Sequence, residues 1–160
     1  FDQFTAFSWN IFAIELIGTA VFVFGIAAVL QRKEIKAAGQ AFGIGLALMI
    51  GLVVSGSLYS YVKGAAIAKI QKEQNAAQSE KGGRTYPREI YVSGATLNPA
   101  VALASTEKTD SQLRSSGVLP AEGEKSYSRF SLEVIAATLI GAALGGNLFL
   151  LVNYRNKDEA

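Results

Sequence analysis

The residues best suited to form a polar site in this apolar chain lie at 93–101, with the sequence SGATLNPAV. The short side chain of Asn98 can accept hydrogen bonds from the unpaired amides of a helix start, and the fixed φ of Pro99 suits the first helical position. The residues from Pro99 onward predict an apolar helix of about seven residues, or about 10 Å. Such a helix can enter a hydrocarbon core but cannot cross it, and its start needs cover from other protein. We therefore expect a re-entrant loop and half-helix at about residues 91–105.

Glu15 is the second residue with a possible chemical role, because it is the only charge in an apolar run from about 9 to 30. An unpaired carboxylate inside a membrane span is costly, which makes Glu15 a candidate for a functional site. The alternative is that Glu15, about one and a half turns in from Asn10, reaches water at the membrane edge. The residue types alone leave both interpretations open.

The sequence lacks the residues on which much enzyme chemistry depends. It has no cysteine and no histidine, which excludes disulfides, thiolate metal sites and cysteine nucleophiles and removes the commonest metal ligand and general base. We therefore expect no enzyme, no metal site and no cofactor. Lipid or pigment could bind at interfaces, but haem or chlorophyll would need ligands other than histidine. The net charge of +2 gives no indication of a nucleic-acid partner.

Three apolar runs must position these residues, at about 9–30, 39–62 and 132–152, and the charges are concentrated between them. Each run is long enough to span a membrane. The sequence therefore predicts a single all-α membrane domain over residues 1–160, with three transmembrane helices and one re-entrant half-helix. A polar insert at 63–90 either continues the second helix beyond the membrane or lies along its surface, and a polar loop follows at 106–130.

Small residues recur within the apolar runs at helical spacing, as close-packed membrane helices require. In the second run they are Gly39, Gly43, Gly45, Gly51, Ser55 and Gly56. In the third run, residues 141–145 form a Gly-xxx-Gly pattern, which within an apolar run favours a packing face. We expect helix packing at Gly18, Gly43, Gly51, Gly141 and Gly145.

Three spans place the N-terminus and the long connection at 63–129 on one side of the membrane. That connection contains ten of the 15 Lys and Arg residues, and the other five lie opposite. The positive-inside tendency therefore predicts that the N-terminus and the long connection face the cytoplasm or its organellar equivalent. No charged segment followed by a cleavage site precedes the first run, so we assign no targeting signal to these residues.

Residues 93–101 resemble the first Asn-Pro-Ala signature of the aquaporin/glycerol-channel family (the major intrinsic proteins), whose usual form is Ser-Gly-Ala-His-x-Asn-Pro-Ala-Val. Residues 15–19 (ELIGT) and 22–25 (FVFG) are similar to the first helix of that family, and residues 137–142 (ATLIGA) to the start of its third. The three motifs follow the family's order. The resemblance covers nearly the whole chain, but only the first of the family's two inverted three-helix repeats.

The resemblance implies a role for each matching residue. In full members of the family, two Asn side chains donate to a single-file solute where two half-helices meet at the bilayer centre. Carried over, Asn98 would be a pore donor, and Pro99 with Ala100 would hold the start of the half-helix. Glu15 would brace the re-entrant loop together with Ser93, Gly94 and Thr96 of the loop itself.

The chain departs from the family in ways that put a channel in doubt. Thr96 replaces the usual His, and Thr138 replaces the usual Gln of the third helix. About thirty residues separate the second run from the signature, which is longer than is usual in the family. The second repeat's Asn-Pro-Ala-Arg, whose Arg lines the selectivity constriction, is missing.

Two functions are consistent with half of this plan. The first is an accessory or structural subunit of a larger membrane complex, for example of the respiratory or photosynthetic type. The second is a half-channel that pairs with an inverted partner to conduct water or a small neutral solute such as glycerol. Expected partners are lipid and either other membrane subunits or an inverted half-repeat. An inverted second copy of this chain is disfavoured, because the two-to-one asymmetry of basic residues opposes dual topology.

Overall fold

The described part of the chain in the computed structural model comprises residues 7–76, 86–105, 107, 112–113 and 129–157. Within these residues the structure is helical, with no strand. The elements are α1 (Trp9–Leu30), α2 (Ala37–Ala76), a 3-10 turn (Arg88–Ile90), α3 (Pro99–Ala104) and α4 (Leu132–Lys157). Most of the predicted polar loop at 106–130, and residues 77–85 of the predicted insert, lie outside the described residues.

Three of these helices are long and apolar enough to cross a membrane: Trp9–Leu30, Ala37–Glu73 and Leu132–Tyr154. The prediction of an all-α protein with three membrane spans is confirmed at this level. Large apolar side chains such as Phe42, Met49 and Leu151 are exposed along the helices, as expected for surfaces that face lipid or neighbouring membrane protein rather than water. The protein therefore has the architecture of an integral membrane protein.

Exposed aromatic side chains lie at both ends of the bundle. Trp9, the first residue of α1, is 73% exposed and contacts the ring of Phe12 edge-on. Tyr154, near the end of α4, is 71% exposed, and its neighbour Asn153 donates to Gln31 beyond the end of α1. Trp and Tyr are enriched at membrane interfaces. These two ends are consistent with the two boundaries of a bilayer.

Helix α2 runs well beyond the apolar run that predicted it. It has 40 residues, or about 60 Å, which is about twice the thickness of a hydrocarbon core. The start of the polar insert is helical, and α2 continues without a break to Ala76. Ile70 on this extension is buried against Ile90, Tyr91 and Leu113. The extension therefore has a small apolar core of its own, and that core holds the 3-10 turn in place.

Helix α2 packs antiparallel to α1 through small residues. A Cβ atom added to Gly51 would lie 3.0 Å from the carbonyl oxygen of Gly18, and one added to Gly43 would lie 2.8 Å from a methyl group of Val29. Positions late in α1 thus face positions early in α2. By contrast, nothing lies within 4 Å of such an atom on Gly45 or Gly56. These two glycines face outward from the bundle.

Helix α4 packs on α1 in the parallel direction. A Cβ atom added to Gly141 would lie 2.6 Å from the carbonyl oxygen of Leu16, and one added to Gly145 would overlap the carbonyl oxygen of Ala20. Helix α1 therefore contacts both other long helices. One end of the bundle contains the start of α1, the end of α2 and the start of α4. The segment around Asn98 enters the bundle from this end.

Candidate functional site

Residues 88–105 and Glu107 form a hairpin whose two ends are joined by an ion pair. Arg88 lies nine residues before Leu97, and Glu107 lies nine residues after Asn98. Arg88 Nη2 nevertheless donates to Glu107 Oε1 at 3.1 Å. The chain therefore descends into the bundle, turns at Leu97 and Asn98, and returns to its starting level through α3.

The descending arm of the hairpin follows α1. At its top, the carboxylate of Glu89 accepts a hydrogen bond from the hydroxyl of Ser8 at 2.6 Å and one from the amide of Asn10 at 3.0 Å. At its bottom, the side chain of Leu97 lies against Gly18. From Trp9 to Gly18 the helix rises about 14 Å. The tip of the hairpin therefore lies well inside the bundle.

The side chain of Leu97 anchors the tip of the hairpin in the bundle. Its φ is +53°, the one positive value for a residue other than glycine within the described part of the chain, and such a conformation costs about 1–2 kcal/mol for an L-residue. Its side chain is buried, and its two methyl groups occupy the space that Cβ atoms on Gly18 and Gly51 would fill. Burial in this slot, together with the hydrogen bond of the Leu97 amide to Glu15, offsets the backbone strain.

The carboxylate of Glu15 is the centre of the site. It is fully buried, so the side chain does not reach water at the membrane edge. It accepts hydrogen bonds from the backbone amides of Thr96 at 3.0 Å and Leu97 at 2.9 Å, and from the Thr96 hydroxyl at 3.3 Å. The Tyr59 hydroxyl of α2 is 3.2 Å away and Arg129 Nη2 is 2.5 Å away. Glu15 thus connects the hairpin tip to α1, α2 and the segment before α4.

Arg129 is the partner that the sequence analysis missed. Its Nη2 atom lies within hydrogen-bond distance of Glu15, of the Tyr59 hydroxyl at 2.7 Å and of the Gly94 carbonyl oxygen at 3.1 Å. Its guanidinium also lies over the Tyr59 ring, 5.3 Å from the centroid. Arg129 is 114 residues from Glu15 and follows a polar loop, where an arginine is usually solvated. No local pattern in the sequence marks it.

Two further carboxylates and a second arginine extend the cluster. Arg129 Nη1 lies 3.6 Å from Glu107 Oε1, at ion-pair distance, and the same oxygen accepts a hydrogen bond from Arg88. Arg88 Nη1 donates to Glu133 in the first turn of α4. No side chain of this set is more than 5% exposed. We refer to these five residues as the buried ionic network: Glu15, Arg129, Glu107, Arg88 and Glu133.

At the hairpin tip, Asn98 caps α3 and remains exposed. Its Oδ1 atom accepts the Ala100 amide at 2.9 Å, and Pro99 occupies the first helical turn. Among the described residues, no partner contacts the Asn98 Nδ2 atom. Ala100 is also exposed, and α3 buries only Ala102. The side of the tip that carries Asn98 therefore faces out of the bundle.

The remaining predicted loop residues divide between the network and the surface. Thr96 bonds to Glu15 through both its amide and its hydroxyl, and the Gly94 carbonyl accepts from Arg129. Ser93 is exposed and contacts none of the five network residues in the described hydrogen bonds. The structure thus brings Glu15, Gly94 and Thr96 together and leaves Ser93 outside.

No protein-family model, curated protein or solved structure matches this chain. Within the described residues, no cluster of three or more acidic, cysteine or histidine side chains is arranged to hold a metal ion. The functional interpretation therefore depends on the hairpin, its exposed tip and the buried ionic network.

Shortening Leu97 tests the seat of the hairpin. Leu97→Ala is expected to lower the free energy of unfolding in detergent by about 2 kcal/mol, the low end for a buried leucine, because the lost contacts are partly replaced by other apolar contacts. Leu97→Gly should be less damaging than Leu97→Ala by about 1 kcal/mol, because glycine adopts a positive φ without strain. The matched control is Leu103→Ala, at a position 69% exposed, which should change little. If Leu97→Gly proves the worse of the two, the strained backbone is not a feature of the folded protein.

Proposed function

We propose that the protein is a structural subunit of a larger membrane complex, built on one half of an aquaporin-like plan, and that its hairpin is a re-entrant segment. The depth of the tip supports this. Leu97 and Gly18 meet about 14 Å from the start of α1, close to the middle of a hydrocarbon core of about 30 Å. Glu15 lies on the wall facing the hairpin, where the family resemblance expects a residue that braces the loop.

The observation that carries the proposal is the exposed side of the tip. The Asn98 Nδ2 atom has no partner among the described residues, and Val101 and Leu103 are 47% and 69% exposed. At mid-membrane depth, a polar group facing lipid costs several kcal/mol. A neighbouring protein that covers Asn98 removes this cost. We therefore expect the partner to stabilise the folded chain.

The rest of the site favours a structural role over a transport role. The carboxylate of Glu15, the Thr96 amide and the Arg129 guanidinium are all used within the chain. They fix the hairpin, so that Asn98 is the one exposed polar side chain of α3 and its cap. The extension of α2, with Ile70 packed under the 3-10 turn, adds a rigid surface outside the membrane on which a partner can dock.

The exposed Nδ2 of Asn98 also supports a second candidate, a half-channel. An inverted partner with its own half-helix could place a second donor opposite Asn98, and the two would bind a single file of water or small neutral solute. In either case we propose that the end of the bundle with the hairpin faces the cytoplasm or its equivalent, because the long connection is the more basic one.

A single introduced cysteine tests for the partner, since the chain has none of its own. A photo-activated cross-linker on Leu103→Cys in native membranes should join the chain to one membrane protein that also co-purifies with the unmodified chain. The control is Leu151→Cys. Leu151 is about as exposed as Leu103 (65% against 69%), but it lies near the C-terminal end of α4, at the end of the bundle away from the hairpin. The proposal would be contradicted if Leu103→Cys gave lipid adducts alone and the chain migrated as a monomer in mild detergent.

Water transport separates the two candidates. Proteoliposomes that contain the purified complex should shrink under osmotic stress no faster than protein-free vesicles if the subunit is structural. A faster rate that Asn98→Ala abolishes would replace the structural function with the half-channel. The Ser93→Ala variant, which changes an exposed residue of the same loop, serves as the control.

A further inference from the structure

The buried ionic network contains more negative than positive groups. Three carboxylates, on Glu15, Glu107 and Glu133, face two guanidiniums, on Arg88 and Arg129. Counted over these five described residues, the fully ionised network has a net charge of −1, and all five side chains are almost completely buried. A buried charge without compensation is strongly destabilising. We propose that Glu107 is a proton-binding site, and that one proton held on its carboxyl group makes the network neutral in the folded protein.

The hydrogen bonds single out Glu107 among the three carboxylates. Both oxygens of Glu15 accept hydrogen bonds from backbone amides. Glu133, in the first turn of α4, accepts a hydrogen bond from Arg88 Nη1. In Glu107, Oε1 accepts a hydrogen bond from Arg88 at 3.1 Å and lies 3.6 Å from Arg129, while the buried Oε2 atom has no hydrogen-bond partner. A proton on Oε2 removes the excess negative charge of the network, and Oε1 still accepts the hydrogen bond from Arg88.

The surroundings of Glu107 act in both directions. Burial raises the pKa of Glu107, Arg88 and Arg129 lower it in part, and the nearby charge of Glu133 raises it again. Behind Arg129 lie Glu15 of α1 and the Tyr59 hydroxyl of α2, which draw on the same guanidinium. Because each arginine is shared between two carboxylates, neither can fully compensate Glu107.

A metal cation would supply the same positive charge, but the site does not suit one. Hard cations such as calcium take six to eight oxygen ligands. Here Glu107 Oε2 is the buried carboxylate oxygen without a partner in the described residues, and two guanidiniums lie nearby. Within the described residues, no three acidic, cysteine or histidine side chains are placed so that they could hold a metal ion together. A proton needs only the one oxygen.

This inference, which does not depend on the proposed function, predicts an unusual dependence of stability on pH. The pKa of Glu107 is raised in the folded protein. At pH values above the ordinary pKa of a glutamate, folding is therefore accompanied by the uptake of a proton. The stability that this proton contributes is fully present below the pKa of Glu107 in the unfolded chain. It is lost as the pH rises through the pKa of Glu107 in the folded protein. A salt-bridged glutamate with a lowered pKa would show the opposite trend.

The test uses Glu107→Gln, which imitates the protonated carboxyl group. Thermal unfolding of the full chain in detergent, followed across the pH range at constant ionic strength, should show the wild type losing Tm as the pH rises. Glu107→Gln should have a flatter profile and should exceed the wild type at high pH. The control Glu133→Gln also removes one negative charge, but it weakens the contact with Arg88. It should therefore lower Tm at low pH, where the wild-type network is already neutral and Glu107→Gln should cost little.

A spectroscopic measurement keeps the test valid even if a variant folds poorly. Infrared difference spectra of the wild-type protein should show the carbonyl band of a buried protonated carboxylic acid, which is lost at high pH and absent in Glu107→Gln. The inference is overturned if this band is missing at neutral pH, or if Glu107→Gln lowers Tm as much as Glu133→Gln at low pH. It is also overturned if Tm follows the identity of the added cation, sodium or potassium, rather than the pH.

Discussion

Replacement of Glu15 with Gln is expected to lower the free energy of unfolding by about 3–5 kcal/mol, the range for breaking a buried ion pair from one side. Every group around this carboxylate is a donor: the amides of Thr96 and Leu97, the hydroxyls of Thr96 and Tyr59, and Arg129 Nη2. A glutamine amide has the same shape, but it presents its own donor to at least one of these donors. The substitution also leaves the charge of Arg129 with less compensation.

Chemical unfolding in detergent measures this effect, with Glu73→Gln as the control. Glu73 makes a surface pair with Lys69 at 4.0 Å, and its side chain is 58% exposed, so its loss should change stability by about 0.5 kcal/mol or less. Limited proteolysis adds a local readout, because cleavage within residues 88–107 should accelerate in Glu15→Gln alone. Equal stability of the two variants would contradict the central position of Glu15.

A double variant separates the charge from the hydrogen bonds. In Glu15→Gln/Arg129→Met, the glutamine oxygen can still accept from the Leu97 amide, and the guanidinium that loses its Glu15 partner is gone. The double variant should therefore be more stable than the sum of the two single substitutions predicts, as contacting residues usually show non-additive effects. Additive losses would mean that Glu15 and Arg129 act independently.

The network is also informative because its carboxylates are not equivalent. Glu15 and Glu107 both contact Arg129, yet Glu15→Gln is expected to be severe and Glu107→Gln mild or stabilising at high pH. The difference lies in the second oxygen. In Glu15 both oxygens accept bonds, whereas in Glu107 one oxygen has no hydrogen-bond partner. Burial alone does not determine how much a buried acid contributes to stability; the number of its donors does.

The three spans could be predicted from the sequence because lipid imposes a requirement that composition alone reveals. An uncharged apolar run of sufficient length has few alternatives to a membrane helix. The cap formed by Asn98 and Pro99 is likewise local, and it occurs at the predicted residue. The extension of α2 to Ala76 could not be decided, because it depends on the burial of Ile70 against Tyr91 and Leu113, which are distant in sequence.

The buried ionic network lies beyond what a single sequence can reveal. Arg88, Glu107 and Arg129 come from polar connections, where charged residues are normally solvated. Their partners lie 19 to 114 residues away, so no helical or strand spacing relates them. The positive φ of Leu97 is equally hidden, since a leucine rarely adopts it. Only Glu15, whose charge is out of place in an apolar run, indicated that a partner must exist.

The double substitution Gly141→Ala/Gly145→Ala should be as damaging as the loss of Glu15, although it adds only two methyl groups. Each new Cβ atom would overlap a backbone carbonyl oxygen of α1, at Leu16 and Ala20, and no change of rotamer can relieve an overlap with the backbone. Helices α1 and α4 must therefore move apart. At about 1–3 kcal/mol for each overpacked position, the expected loss is about 2–6 kcal/mol.

The matched control for this variant places the same two methyl groups on glycines that face outward, in Gly45→Ala/Gly56→Ala. Nothing lies within 4 Å of a Cβ atom at either position, and alanine is favoured over glycine within a helix by about 0.8–1.0 kcal/mol per residue. The control should therefore be stabilised in the same unfolding experiment while the α4 variant is destabilised. Because both variants change helix propensity in the same way, opposite signs would isolate the contact between α1 and α4. A stabilised Gly141→Ala/Gly145→Ala protein would show that the two helices do not pack through these glycines.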